Sequence, residues 1–232
     1  MNSIPEIDVL LALGPLLVVP LGLSLFRWSD PQAERLRSMA ARAVPFAAVA
    51  AALSLLPVDP VQDFGALLAA LWLAVSVMIA ISALAELLKT RPSGVEPYLP
   101  MAACVYLAVG AFWLVLYRAE IRPQGFPIEI VGLTAVHFLF AGFAAPILAA
   151  RAAWWLRALP GRWNRLASFA GLGVVLAMVL VAVGISASPM LEVEGSLLMA
   201  ASLFAIAAGT TLIAFRLPVP ARTLLVVSSA AV

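Results

Sequence analysis

Long apolar runs separated by short polar breaks organise this chain, and they cover residues 7–26, 43–56, 64–88, 99–117, 129–150, 166–188 and 195–215. A hydrocarbon core ~30 Å thick takes about 20 helical residues to cross. The pattern therefore predicts an all-α polytopic bundle of seven transmembrane helices, forming a single transmembrane domain over residues 1–232. Pro15 and Pro20 fall inside the first run, as spans tolerate when neighbours satisfy the freed carbonyls. The second run is short and alanine-rich, and it reaches across only if Met39–Ala41 join it and Arg42 snorkels. Residues 151–165 read differently. Trp154, Trp155 and Trp163 interleave with Arg151, Arg157, Arg162 and Arg165, which predicts an amphipathic linker at the headgroup level. The apolar stretch after Arg222 is only ten residues long, too short to cross, so the tail reads as an interfacial stub or the start of an eighth helix.

Charge placement orients the bundle. Alternate loops put Arg27, Arg35, Arg37, Arg42, Lys89, Arg91, Arg151, Arg157, Arg162, Arg165, Arg216 and Arg222 on one side, against Arg118 and Arg122 on the other. The positive-inside rule makes the first side cytoplasmic, with the N-terminus outside and the C-terminus inside. The outer ends collect Glu6, Asp8, Asp59, Asp63, Glu120, Glu129, Glu192 and Glu194. The N-terminal run lacks a basic start and carries Glu6 and Asp8, so it reads as a retained span rather than a signal peptide.

Composition agrees: 64% of residues are hydrophobic and 11% charged, against roughly 45–50% and 25% in soluble domains. A multi-pass protein of the cell (inner) membrane is expected, with the lipid bilayer as its surroundings. The net charge of +2 gives nucleic-acid binding no support. Cys104 stands alone and can form no internal disulfide. One Cys and one His make no zinc or haem site, and no metal or cofactor is expected. The last run, residues 195–215, holds no lysine for a retinal Schiff base.

The fifth run carries the candidate chemistry. It opens on Glu129 and contains the sole histidine, His137. Eight helical residues separate the two by ~12 Å along the axis, so with Glu129 at one edge His137 lies near the middle of the bilayer. An ionisable group at that depth is costly and usually faces protein or water. His137 reads either as a proton carrier or as a histidine hydrogen-bonded to a neighbouring helix for packing. Glu129 is either an acid complementing a helix N-terminus or a proton donor with a raised pKa. Thr134 flanks the histidine one turn earlier. Glu86 can pair with Lys89 or Arg91. Glu86, Glu192 and Asp63 are secondary acid candidates, although Glu192, Glu194, Asp59 and Asp63 are most simply solvated loop acids.

EIVGLTAVHFLFAGFAAPILA resembles the YndJ-like family of bacterial membrane proteins, in which an LTAxHF…AGF span is distinctive. Leu139 and Phe140 stand where a second histidine and a tyrosine often occur. The family is often labelled a transporter. Small seven-span proteins similar to it include membrane terpenoid cyclases, and Pro127-Ile128-Glu129 resembles the Pro-x-Glu element of integral lycopene cyclases, with Ile130 replacing a second acid.

Two functions follow, with the enzyme preferred because its chemistry needs few polar groups and no metal, and a binding or assembly protein without chemistry stands as a third. In a proton-initiated terpenoid cyclase acting on an isoprenoid-type molecule, Glu129 donates the proton and His137 serves as base or orienter. Phe112, Trp113, Phe138, Phe140 and Phe143 then line an apolar chamber and stabilise carbocations through their π faces. In a proton-coupled transporter, His137 and the outer carboxylates form a relay. Transporters commonly show inverted repeats and helices broken at the midplane, and the sequence displays neither clearly.

Overall fold

A computed structural model describes residues 5–57, 64–91, 93–156 and 163–215. Asp59, Asp63, Arg157, Arg162 and the tail over residues 217–232 lie outside the described residues. With no water in hydrocarbon to satisfy backbone polar groups, apolar runs of this length fold as helices. The helices are α1 (Pro5–Leu13), α2 (Val19–Ser24), α3 (Pro31–Ser54), α4 (Gly65–Thr90), α5 (Tyr98–Arg118), α6 (Ile128–His137), α7 (Ala145–Leu156), α8 (Trp163–Ala187) and α9 (Pro189–Ala214). Wide π-helical turns join α1 to α2 over Gly14–Val18, and α6 to α7 over Phe138–Ala144. Among the described residues, seven stretches are long and apolar enough to cross a membrane. The protein is a multi-pass, all-helical membrane protein.

Three boundaries differ from expectation. The second span begins at Pro31 rather than near residue 43. Asp30 caps α3 by accepting from the N–H groups of Gln32 and Ala33 at 3.0 and 2.9 Å, and Pro31 occupies the first helical position, where its missing donor costs nothing. Arg35, Arg37 and Arg42 therefore sit on helix, not in a loop. The expected interfacial linker over residues 151–165 is helical through Leu156, which gives the fifth span 29 residues. Its Arg151 lies over the Trp154 ring at 4.9 Å, and Trp154 meets Trp155 edge to face. Finally, α9 begins at Pro189, so Glu192 and Glu194 stand exposed on its first turns instead of in a loop.

The chain divides into two compact units. The first comprises Met1–Pro92 and Met101–Ala144. Within it α3 packs along α4, and α1 lies against α3 and α6. The wide turns of the first and fifth spans touch: a Cβ on Gly14 would overlap the Leu139 side chain. Gly110 brings α5 close to the fifth span, since a Cβ there would lie 3.0 Å from Phe138 Cβ and 3.3 Å from the Ala135 carbonyl. Small residues permit this approach where apolar lipid supplies no drive for helix association.

The second unit comprises Ser93–Pro100 and Ala145–Val232. Here α8 and α9 form a tight hairpin, in which a Cβ on Gly195 would sit 2.8 Å from the Val181 nitrogen. Ser168 donates to Glu96 at 2.8 Å.

Candidate functional site

Two groups of polar side chains stand out in the first unit, one around Asp8 and Tyr117 and one around Glu86 and Arg37. The first is built where α1 begins, α5 finishes and α6 begins. Tyr117, buried on the last turn of α5, donates its hydroxyl to Asp8 Oδ1 at 3.1 Å. Gly132 makes room for this arrangement, because a Cβ there would lie 2.9 Å from the Tyr117 ring and 3.0 Å from Ile7. Asp8, Arg118 and Glu129 all lie within electrostatic reach of the Tyr117 hydroxyl. Pro127 precedes α6 and places Glu129 in its first turn, half-buried. A carboxylate there complements the helix dipole.

His137 is the last residue of α6, immediately before the π-helical turns. Its ring is half-buried and edge-on to Phe138, with centroids 6.3 Å apart. Phe138 in turn packs on Tyr106 at 5.8 Å. The His137 Nε2 is buried, and no hydrogen-bond partner among the described residues reaches it. A buried polar atom without a partner costs about 1–3 kcal/mol, and such atoms in native proteins call for an explanation such as a ligand, a proton or a water.

The aromatic candidates separate. Phe138 and Phe143 are buried, and Trp113 and Phe140 are half-buried. Phe112 is 49% exposed, unlike the buried Phe138 and Phe143. Thr134 donates its hydroxyl back to the Ile130 carbonyl at 2.7 Å, as helical threonines do.

The opposite end of the unit holds a network that sequence reasoning missed. Glu86 is buried and accepts from the backbone N–H groups of Ser29 and Asp30 at 3.0 and 2.8 Å. It does not pair with Lys89, which instead reaches Gln32 and lies 3.8 Å from Asp30. Trp28 donates its indole N–H to Ser82 at 3.0 Å and its backbone N–H to Glu34 at 2.9 Å. Arg37, also buried, binds Glu34 through Nε and Nη2 and donates from Nη1 to the Leu23 carbonyl at 3.0 Å. The α1–α2 and α3 helices are thereby tied together. A cleft of about 310 Å³ beside this network is lined by Pro20, Leu23, Phe26, Arg27, Arg37 and Val44, among others, and reaches neither Glu129 nor His137. The signal for this end was present in Asp30-Pro31, a helix-start pair. Cys104 is buried and unbridged, and no group of three or more metal-ligating side chains occurs among the described residues.

No solved structure matches the chain. The uncharacterized membrane protein YndJ of Bacillus subtilis (strain 168) is 32% identical over 129 residues, which is 54% of this chain and 22% of that protein. The chain thus spans less than a quarter of the curated relative's length. The description "YndJ-like protein" belongs to a family whose profile matches residues 9–232. Matched over nearly all of its length, and with the membrane spans that the relative's name implies, this chain is a member of the YndJ-like family.

Proposed function

We propose that this protein handles a proton within the membrane at His137, in a cycle that carries a small solute across the bilayer. The observation behind the reading is the buried Nε2 of that ring, without a partner among the described residues and set where α6 gives way to π-helical turns. Wide turns of this kind recur at functional sites. Both the first and the fifth span contain one, and the two touch through Gly14 and Leu139. Transporters place binding sites beside such irregular helices. Asp8, Tyr117 and Glu129 supply the exchange route to the acid-rich end, which arginine bias assigns to the outside. The network around Glu34, Arg37 and Glu86 is the inner closure of the same unit.

Proton-initiated terpenoid cyclisation remains as a second reading, favoured by the aromatic rings of Phe138 and Tyr106 beside the histidine. There Glu129 would protonate an isoprenoid and His137 would take the proton back. It also requires an enclosed apolar chamber reaching Glu129, a role for which the cleft beside Arg37 is misplaced.

Reconstitution in liposomes loaded with a pH-sensitive dye tests the choice. Under an imposed pH gradient, pools of small solutes should accelerate proton entry through wild type, not through His137→Ala, and more slowly through Glu129→Gln. Parallel incubation with geranylgeranylated and farnesylated acceptors tests for cyclised products. A product lost in Glu129→Gln would replace transport by cyclisation. Solute-stimulated proton flux undiminished in His137→Ala would remove both.

A further inference from the structure

The cleft beside Arg37 has a chemistry that the network around it does not use. Its volume of about 310 Å³ falls at the small end of ligand clefts, which run from about 300 to 1,000 Å³. It lies between the end of the first span and the middle of α3, wholly within residues 20–45. Leu23, Val44 and Arg37 are buried and form its floor, whereas Ser24, Arg27 and Pro45 are exposed and form an open rim.

Its depth in the membrane follows from the two segments that build it. The first apolar run ends at Phe26 and the second starts at Ala43, so on both helices the hydrocarbon boundary passes through the cleft. Pro20, Leu23, Val44 and Pro45 stand on the apolar side of that boundary, and Arg27 and Arg37 on the polar side. A wholly polar anion or a wholly apolar molecule would satisfy only half of such a space.

Charge decides the sign of the occupant. Arg37 is bound to Glu34 and to the Leu23 carbonyl, so its charge is largely offset. These bonds use three of its five N–H donors, and two remain. Among the described residues no carboxylate lines the cleft. The ion pairs among them join Arg37 to Glu34 and Lys89 to Asp30, and Arg27 enters neither. An unpaired cation thus stands over an apolar trough at the membrane boundary. Basic pockets between helices on the cytoplasmic side hold the head groups of anionic lipids, and the arginine bias assigns this end to the cytoplasm.

We infer that the cleft between the first span and α3 holds one anionic phospholipid, with its phosphate at Arg27 and Arg37 and its glycerol backbone against Leu23 and Val44. The acyl chains leave over Pro45 into the bilayer. The inference does not depend on proton handling at His137.

Native mass spectrometry of the full chain, released from nanodiscs of equal phosphatidylglycerol and phosphatidylcholine, provides the test. Wild type should retain phosphatidylglycerol in preference to phosphatidylcholine. Arg27→Gln should weaken that retention by about fivefold or more, the contribution of one basic residue at a membrane surface. Arg42 is also exposed but does not line the cleft, and Arg42→Gln should weaken retention by about twofold at most. Ala41→Leu keeps every charge and fills the cleft wall, so it should displace the lipid. If that variant does not fold, the two arginine variants decide. Equal losses in Arg27→Gln and Arg42→Gln reduce the effect to general surface attraction and overturn the site. Wild type without a preference for phosphatidylglycerol overturns it too, as does Arg27→Gln or a folded Ala41→Leu behaving like wild type. Displacement of the lipid by inorganic phosphate, at an ionic strength where chloride leaves it bound, also overturns the inference by making this a site for the free anion.

Discussion

Replacing Glu86 with alanine should destabilise the first unit more than any other loss of a single charge at that end. The side chain is 4% exposed and is the acceptor for two backbone donors, Ser29 N at 3.0 Å and Asp30 N at 2.8 Å. Hydrogen bonds to a charged group contribute about 1.5–3 kcal/mol each. Ser29 is exposed, so water can take over part of its bond, while Asp30 is half-buried and keeps most of its penalty. The expected loss is about 2–4 kcal/mol. Glu86→Gln retains one oxygen but turns an amide against a backbone N–H, at a cost of about 1–3 kcal/mol. The control is Lys89→Ala. Lys89 lies 3.8 Å from Asp30 with its side chain 43% exposed, a geometry in which ion pairs contribute about 0–1 kcal/mol. Unfolding midpoints in mixed micelles with rising SDS fraction rank the three variants. If Glu86→Ala falls within about 0.5 kcal/mol of Lys89→Ala, the carboxylate does not hold the α2–α3 turn. A group freed from that duty would again be open as a participant in acid–base chemistry.

Three further outcomes follow. Gly14→Ala should destabilise by about 1–3 kcal/mol through collision with the buried Leu139, and Leu139→Ala in the same chain should recover part of the loss, as read by a double-mutant cycle of unfolding midpoints. Trp28→Phe removes the indole bond to Ser82 and should cost about 1 kcal/mol beyond the change in packing; Ser82→Ala combined with it should add little further. Tyr117→Phe breaks the bond to Asp8. It should slow solute-stimulated proton entry in liposomes without matching the loss expected of His137→Ala, and equal rates in Tyr117→Phe and wild type would take the outer hydroxyl out of the route.

The spans were legible because bilayer thickness dictates a run length, and that demand leaves its mark in every window. Helix ends are set by different forces. Asp30-Pro31 starts α3 well before its apolar run, and three arginines on that stretch pull down its hydropathy. Arg37 is admitted to the interior only because Glu34 and the Leu23 carbonyl meet its donors, a condition visible in three dimensions and not along the chain. Glu192 and Glu194 read as loop residues for a similar reason: acids at a helix N-terminus complement its dipole, so charge alone does not mark a turn. The π-helical turns had a local mark in their prolines: Pro20 and Pro146 each follow a wide segment by two residues, where the missing N–H loosens the preceding turn. Nothing in FLFAGFA separates a wide turn from an α-helical one. What the segment alone leaves out is the fit of Leu139 against Gly14, well over a hundred residues away in sequence. His137 was conspicuous as the sole imidazole in an apolar run, but its buried nitrogen, without a partner among the described residues, depends on the same distant contacts. The residue type that can carry a proton in this span is thus written locally, whereas its surroundings are set by the packing of two irregular helices.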